Sequence, residues 1–209
     1  MRKSKQDMLV TKEQILSSAF NCFNKYGFEK TSLEAIAQEA GVTRGAIYWH
    51  FADKETLYRE VVICALQKGD VADFAERISV ELPFEERLDE VFWMAINENK
   101  YVHFVFMSMN YVSLNREKFP DLMEHLMDNK MRLLRFFDNE VRYYMRYNRI
   151  TDLNPELYSS SLFLLFEGLF LSKNISNLFT FDRDSINLHI RLIISDLLCH
   201  ESQGESELN

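Results

Sequence analysis

Apolar residues recur along almost the whole chain with the spacing of an α-helix. The first such stripe consists of Ile15, Leu16, Ala19, Phe20 and Phe23. A repeat every three to four residues is typical of an amphipathic helix, and we expect this one to start near Thr11 and to end at Gly27. With 6 Gly and 3 Pro in 209 residues, the chain also has few turn residues for a sheet protein. The pattern predicts an all-α fold.

Two short helices and a longer one are predicted next. The apolar stripe of the second helix is Leu33, Ile36, Ala37 and Ala40. Thr31 and Glu34 have the spacing of a capping box at its start. Thr43 can cap the third helix, and Asp53 can cap a fourth that runs to about Phe74. Three closely spaced helices therefore precede a longer one.

Helical patterns with clear start signals continue to the end of the chain. Pro83 and Pro120 each precede a helix, the second of them long. Asn154 and Pro155 supply an N-cap and a first helical residue, and the last helix follows Asp182. The final residues, ESQGESELN, have the composition of a disordered tail. About nine helices are expected in all.

The charge is distributed unevenly. The chain has 24 basic and 32 acidic side chains, a formal charge of −8. Residues 1–51 contain seven basic and five acidic residues, which gives +2, whereas the rest of the chain contains 17 and 27, which gives −10. Only the N-terminal quarter is therefore suited to a polyanion such as DNA.

Several function classes are disfavoured by missing motifs. The three cysteines, Cys22, Cys64 and Cys199, are far apart and form no C-x-x-C or metal-ligand spacing, which indicates a reducing cytoplasm. No Ser/His/Asp arrangement, Gly-rich phosphate loop or paired metal-binding histidines can be located. We therefore expect no metal, no cofactor and no enzyme. The N-terminus lacks the apolar core of a signal peptide, and uninterrupted apolar runs such as 162–166 are far shorter than the ~18 residues of a membrane span.

The second and third helices, Ser32–Ala40 and Thr43–Phe51, have the spacing of a helix-turn-helix. On the exposed side of the third helix, Arg44 can bond the O6 and N7 atoms of guanine, and Thr43 can reach a phosphate or a thymine methyl. Gly45 would let the backbone approach DNA closely. The same side carries Tyr48 and Trp49, and these two residues and His50 can pack or bond along the phosphate chain. This pattern predicts that the third helix enters a major groove.

Lys54 is a cation in the first turn of a helix, where the macrodipole favours anions. A DNA phosphate at that helix end would resolve the conflict, because it could bind both the ammonium and the free backbone N–H groups. Alternatively, Lys54 is a solvated surface residue. The sequence leaves both interpretations open.

Residues 11–58, TKEQILSSAFNCFNKYGFEKTSLEAIAQEAGVTRGAIYWHFADKETLY, resemble the DNA-binding domain of TetR-family regulators. The stretch GVTRGAIYWHF followed by DKETL is similar to the branch of this family that represses multidrug efflux pumps. The resemblance implies a helix-turn-helix domain over residues 1–52 and a larger ligand-binding and dimerisation domain over 53–209. It also implies that operator DNA contacts Ser32, Thr43, Arg44, Gly45, Tyr48, Trp49, His50 and Lys54.

For the larger domain, the resemblance implies a homodimer through the last two long helices, at about 155–178 and 183–200. Gly168 fits either a close partner helix or a bulky neighbour within the chain. The resemblance also implies an inducer pocket among helices four to eight, with candidates Leu66, His103, Phe104, Met107, Phe163, Phe166 and Glu167. Glu167 could pair with a cationic drug or hydrogen-bond within the core or the interface.

The resulting prediction is a cytoplasmic homodimeric repressor that binds a near-palindromic operator and controls a multidrug efflux transporter. Small hydrophobic or cationic compounds would release it by displacing the fourth helix and changing the spacing of the recognition helices. Two alternatives remain. The protein could regulate a metabolic operon in response to a metabolite, or it could be a helical sensor or scaffold that has lost DNA affinity.

Overall fold

The computed structural model describes the backbone of residues 5–78, 81–173 and 181–204 and the side chains of 11–78, 81–173 and 181–199. All regular secondary structure in these ranges is helical, which confirms the all-α prediction. The helices are α1 (Lys5–Lys30), α2 (Leu33–Glu39), α3 (Arg44–His50), α4 (Lys54–Lys68), α5 (Val71–Glu76), α6 (Phe84–Trp93), α7 (Lys100–Leu114), α8 (Leu122–Tyr147), α9 (Pro155–Leu171) and α10 (Arg183–Gly204). A π-helical turn, Met94–Glu98, follows α6 directly.

Both ends of the chain differ from the sequence-based expectation. Helix α1 begins at Lys5, earlier than predicted, and its regular geometry is interrupted at Gly27, where φ is +77°. Only glycine adopts such an angle at little cost. Residues 201–204, predicted to be disordered, continue α10. Residues 174–178 of the predicted dimer helix and 205–209 of the predicted tail lie outside the described residues.

The predicted capping box at α2 is wrong by one residue. Ser32 is the N-cap, and its side chain accepts a hydrogen bond of 3.1 Å from the backbone N–H of Ala35. Thr31 is buried, and its hydroxyl lies 2.7 Å from the carbonyl oxygen of Gly27 and 3.2 Å from that of Cys22. The Thr31 hydroxyl thus donates back to carbonyls of α1, and Ser32 supplies the cap of α2.

The predicted starts of α3 and α4 are confirmed. Thr43 accepts from the N–H of Ala46 at 3.2 Å, and Asp53 accepts from the N–H of Thr56 at 2.7 Å. Hydrogen bonds from the side chain of Thr56 and then from its backbone N–H lower the pKa of Asp53.

The predicted end of α4 near Phe74 is wrong, since the helix stops at Lys68. Asp70 then caps α5 by accepting from the N–H of Asp73 at 3.1 Å, and a residue that caps a new helix cannot lie inside the old one.

The chain divides into two compact units. The first combines Met1–Lys68 with Phe104–Leu126, and the second combines Gly69–His103 with Met127–Asn209. In the first unit, α1 packs on α2 and α4, and α2 packs on α3. In the second, α10 packs on α6 and α9. The domain boundary expected after residue 52 remains a prediction.

The first unit has a core of aromatic rings, which we call the aromatic cluster: Phe20, Phe23, Phe28, Tyr58, Phe104, Tyr111 and Phe119. Tyr58 of α4 is central, with its ring centroid 5.0 Å from those of both Phe23 and Phe28. Its hydroxyl forms a 3.0 Å hydrogen bond with Ser108, and burial raises the pKa of Tyr58 to about 12. The cluster therefore ties α4 and the end of α1 to residues 104–119.

The second unit has its own core. Phe92, Phe137 and Phe166 lie in ring contact, with Phe92 and Phe166 at 5.5 Å and Phe92 and Phe137 at 5.6 Å. Arg87, which is buried, forms an ion pair of 2.6 Å with Glu140. Helix α9 starts as predicted, since Asn154 caps it and Pro155 is its first residue.

Replacement of Tyr58 by Phe should change how stability depends on pH. Below about pH 10 the phenol is neutral in both states, and the variant loses the Ser108 hydrogen bond, a cost of about 1 kcal/mol. Above that pH the unfolded chain releases the phenol proton first, because the folded pKa is about 12. Between about pH 10 and 12 the free energy of unfolding of the wild type therefore falls by up to roughly 3 kcal/mol, and that of the variant does not.

Urea unfolding at about pH 8 and about pH 11 measures this difference. The advantage of the wild type should shrink or reverse at the higher pH. Tyr147→Phe is the matched control, since Tyr147 is 77% exposed. A wild-type advantage that stays constant with pH would contradict the burial argument.

Candidate nucleic-acid interface

The helix-turn-helix is built on two short helices that bury one side each. Ile36 of α2 and Ile47 of α3 are completely buried. Gly41, in the turn between the helices, has φ of +64°, which an L side chain rarely adopts. Since the inward sides pack together, the outward side of α3 is fixed in place by the fold.

The outward side of α3 carries the residues predicted to bind DNA. Tyr48 is 46% exposed and Trp49 is 67% exposed, although large aromatic side chains are usually more buried. Arg44 is exposed as well, whereas His50 is half-buried with its ring centroid 4.8 Å from that of Trp49. The structure thus brings Arg44, Tyr48 and Trp49 onto one open surface.

Gly45, Ser32 and Thr43 lie at the exposed starts of these helices. A Cβ atom added to Gly45 would lie 3.8 Å from Thr43 Oγ1, an ordinary contact, so packing within the chain does not require glycine there. Ser32 and Thr43 use their side-chain oxygens as caps while staying exposed. A hydroxyl can also donate, so a capping role is compatible with a phosphate contact.

Arg44 contacts one residue of α2 and one residue of its own helix, α3. Its guanidinium forms an ion pair with Glu34 of α2 and donates a 2.9 Å hydrogen bond to the hydroxyl of Tyr48. It also lies over the Tyr48 ring, 5.3 Å from the centroid. The bond to Tyr48 and the Glu34 carboxylate raise the pKa of Arg44, so the side chain stays charged. Nothing in the spacing of residues along α3 predicts the pair with Glu34, which lies on another helix.

Lys54 has partners within the chain. Its ammonium donates to the carbonyl oxygen of Phe28 at 3.0 Å and to that of Thr31 at 3.1 Å, and it lies 4.2 Å from the Phe28 ring centroid. These carbonyls follow the Gly27 interruption of α1, and that of Phe28 also accepts from the backbone N–H of Thr31 at 3.3 Å. The two carbonyl oxygens thus offset the unfavourable position of the Lys54 cation at the start of α4. A phosphate contact of Lys54 remains a prediction.

The segment that contains the helix-turn-helix is similar in sequence to known proteins. Residues 15–61 match the family described as bacterial regulatory proteins, tetR family. The chain carries a TetR-family N-terminal domain. Over 60 residues it is 52% identical to the transcriptional regulator AcrR of Shigella flexneri, and over 62 residues it is 44% identical to the regulator TtgR of Pseudomonas putida. These matches cover 29% and 30% of this chain and only 28% and 30% of the relatives' own lengths.

Solved structures extend the likeness of fold beyond the TetR-family domain. A transcriptional regulator from Rhodococcus sp. superposes with a TM-score of 0.69 at 16% identity, covering 90% of this chain and 95% of that one. NalD of Pseudomonas aeruginosa, the secondary repressor of the MexAB-OprM multidrug efflux pump, superposes with a TM-score of 0.61 at 24% identity. That match covers 93% of this chain and 96% of NalD. Identities at this level show the fold alone.

The candidate ligand residues fall in both units. In the first, Leu66 and Phe104 are buried and Met107 is 41% exposed. Phe104 belongs to the aromatic cluster, with its ring centroid 5.0 Å from that of Phe20. Leu66 and Phe104 are therefore core residues of the first unit. A contact of any of the three residues with a ligand remains a prediction.

In the second unit, Glu167 is half-buried and forms an ion pair of 2.5 Å with Lys130, and its role with a ligand remains a prediction. His103 and Phe163 are half-buried, and burial together with the charge of Lys173 lowers the pKa of His103. Phe166 is part of the aromatic core. A cationic ligand at Glu167 would have to displace Lys130.

The second unit also has a surface cavity of about 320 Å³, away from the predicted ligand residues. It is lined by Glu81, Leu82, Pro83, Phe84, Arg87, Tyr143, Tyr144, Tyr147 and Asn148, and it contains none of the predicted ligand residues. Within the described ranges, no three His, Cys, Asp or Glu side chains are grouped to hold a metal ion. None of the helices described combines the length and apolar character that crossing a membrane needs.

Replacement of Lys54 by Gln should destabilise the protein even without DNA. The variant loses a charged donor to two carbonyls, for which we expect a loss of about 1–3 kcal/mol in the free energy of unfolding. Thermal or urea unfolding followed by circular dichroism measures the loss. Lys30→Gln is the control, because Lys30 is an exposed lysine at the end of α1. Equal stability of both variants would show that the Lys54 contacts contribute nothing.

Proposed function

We propose that the protein is a homodimeric transcriptional repressor whose α3 helices enter successive major grooves of a near-palindromic operator. The observation that supports this most directly is the open surface of Arg44, Tyr48 and Trp49 on α3, within a segment that matches the tetR family. A guanidinium on the exposed side of a recognition helix can bond guanine, and exposed aromatic rings can pack on the sugar-phosphate chain.

Dimerisation is supported by apolar side chains that are exposed among the described residues of α9 and α10. On α9, Leu157, Leu164 and Leu171 are exposed at intervals of seven residues, which places them on one side of the helix. On α10, which packs on α9, Leu188 and Leu192 are 58% and 67% exposed. Rows of exposed leucines on two adjacent helices are typical of an interface. A second copy could cover both rows about a twofold axis.

Gly168 lies on the same part of α9, and it is exposed. A Cβ atom added there would meet no described atom within 4 Å. A bulky neighbour within the described chain therefore does not explain the glycine, which favours the alternative that a partner helix approaches closely at this position.

For regulation, we propose that a small hydrophobic or cationic compound binds among helices α4 to α8 and shifts α4. The aromatic cluster attaches α4 to the end of α1 through Tyr58 and Phe28, so a movement of α4 would be transmitted to the helix-turn-helix. The ligand must bind the DNA-incompetent state more tightly, and operator DNA must then weaken ligand binding by the same factor. Equal ligand affinity with and without operator would exclude this mechanism.

The proposed target is the gene of a multidrug efflux transporter, or the protein's own promoter. It rests on the likeness to AcrR and on the fold shared with NalD, whose own target is such a pump. A metabolic operon with a metabolite as inducer is the second candidate. A helical scaffold without DNA affinity is the third, and the exposed Arg44 and Tyr48 argue against it.

Replacement of Arg44 by Ala should weaken specific binding by about 1–3 kcal/mol and relax the base preference, since one base contact is lost. Gel-shift titration measures this with duplex from the gene's own upstream region and with random duplex. Lys54→Ala, which would remove a phosphate contact, should instead weaken binding to every duplex and flatten the salt dependence. Equal, sequence-independent losses from both variants would show that Arg44 contacts phosphate only.

The same titration with a panel of unrelated drug-like compounds tests the target class. Release by several of them supports an efflux repressor, whereas release by a single metabolite class supports the second candidate. Wild-type protein that binds no duplex, with no dependence on salt, would support the scaffold.

Replacement of Leu164 or Leu192 by Glu should convert the dimer to a monomer, because each change places a charge among the exposed leucines of α9 or α10. Light scattering coupled to size exclusion measures the mass. Leu114→Glu is the control: Leu114 is 87% exposed but lies at the end of α7. Either a monomeric wild type or a dimer that withstands both changes would exclude this interface.

A further inference from the structure

The ion pair between Glu34 and Arg44 links the two short helices of the helix-turn-helix. Glu34 lies on α2 and Arg44 on α3, and their side chains are 58% and 55% exposed. Arg44 also donates to Tyr48, so its guanidinium is held from two directions. Glu34 thus places a carboxylate against the cation on the surface proposed to face DNA.

An acidic side chain at this place opposes DNA binding in general. The phosphate backbone supplies the sequence-independent part of the affinity, and a carboxylate nearby is repelled by it. Glu34 does not cap α2, since Ser32 does so. Its charge is therefore not explained by the N-cap hydrogen bond, although an acidic residue in a first turn also interacts favourably with the helix dipole.

The pair leaves Arg44 able to recognise a base. A guanidinium has five N–H donors in a fixed fork, and Glu34 and Tyr48 each engage one of its terminal nitrogens. N–H groups remain for an acceptor pair such as guanine O6 and N7. A phosphate, in contrast, is an anion, so the carboxylate of Glu34 repels it and offsets part of its attraction to the guanidinium. A base edge carries no net charge and is not opposed in this way.

We propose that Glu34 determines specificity: it holds Arg44 back from backbone phosphates, so that Arg44 contributes to binding only where a base offers it acceptors. Glu34 is a positioning residue that acts through Arg44. The inference rests on the proposed function and adds to it a residue of α2 that lowers binding to random DNA.

The experiment compares Glu34→Gln with Glu39→Gln. Both variants remove one negative charge from an exposed position of α2, but only the first breaks the pair with Arg44. The probes are a duplex selected by the wild type from a randomised pool and a random duplex of equal length, each titrated over a series of salt concentrations. Circular dichroism confirms that both variants are folded.

Relative to Glu39→Gln, we expect Glu34→Gln to bind random duplex about fivefold more tightly, the upper range for an exposed ion pair. Binding to the selected duplex should change by less than about twofold, so that the ratio of the two affinities falls. The slope of log K against log salt on random duplex should steepen by about 0.9, as for one additional phosphate contact.

In an Arg44→Ala background, Glu34→Gln should act like Glu39→Gln, because the residue through which it acts is gone. Three outcomes would overturn the inference: equal behaviour of the two single variants, a loss confined to the selected duplex, or an unchanged effect without Arg44. The second would mean that Glu34 itself contacts a base. If the wild type selects no duplex from the pool, the proposed function fails instead.

Discussion

The helix-turn-helix depends on the packing of α1 against α4. Helices α2 and α3 have seven residues each, too few to be stable alone in water. They are held because their buried isoleucines pack in the first unit, whose core is the aromatic cluster around Tyr58. Lys54 adds a polar connection at the same junction, from the first turn of α4 to carbonyls just beyond Gly27. The position of the open surface of α3 is therefore set by contacts on the opposite side of the motif.

The sequence predicted best what depends on near neighbours. The caps Thr43, Asp53 and Asn154 follow from local chemistry, because each accepts from an N–H two or three residues ahead. Thr31 and Ser32 are adjacent potential caps, and which one is used depends on how the Thr31 side chain packs against the α1 carbonyls of Gly27 and Cys22, four and nine residues away. The membership of residues 104–126 in the first unit could not be predicted, since it depends on contacts such as that between Tyr58 and Ser108, 50 residues apart.

The same distinction holds for the candidate site. Helical periodicity alone predicted that Arg44, Tyr48 and Trp49 share the open side of α3, and the structure confirms that exposure. The partner of Arg44 was missed because Glu34 belongs to another helix, and its distance from Arg44 depends on the angle at which the two helices cross. The partners of Lys54 were missed for a related reason: they are backbone carbonyls, which every residue has, so the sequence of side chains does not indicate them.

The two tryptophans of the chain have a consequence for spectroscopy. Trp49 is exposed on α3 in the first unit, whereas Trp93 is half-buried in the second, where its indole N–H donates to Glu98 and the Arg183 guanidinium lies over its ring. An indole in water emits at longer wavelength than one among protein atoms, so the two emit from distinguishable environments. Each unit thus carries its own intrinsic fluorophore, and events on the surface of α3 can be followed optically without a label.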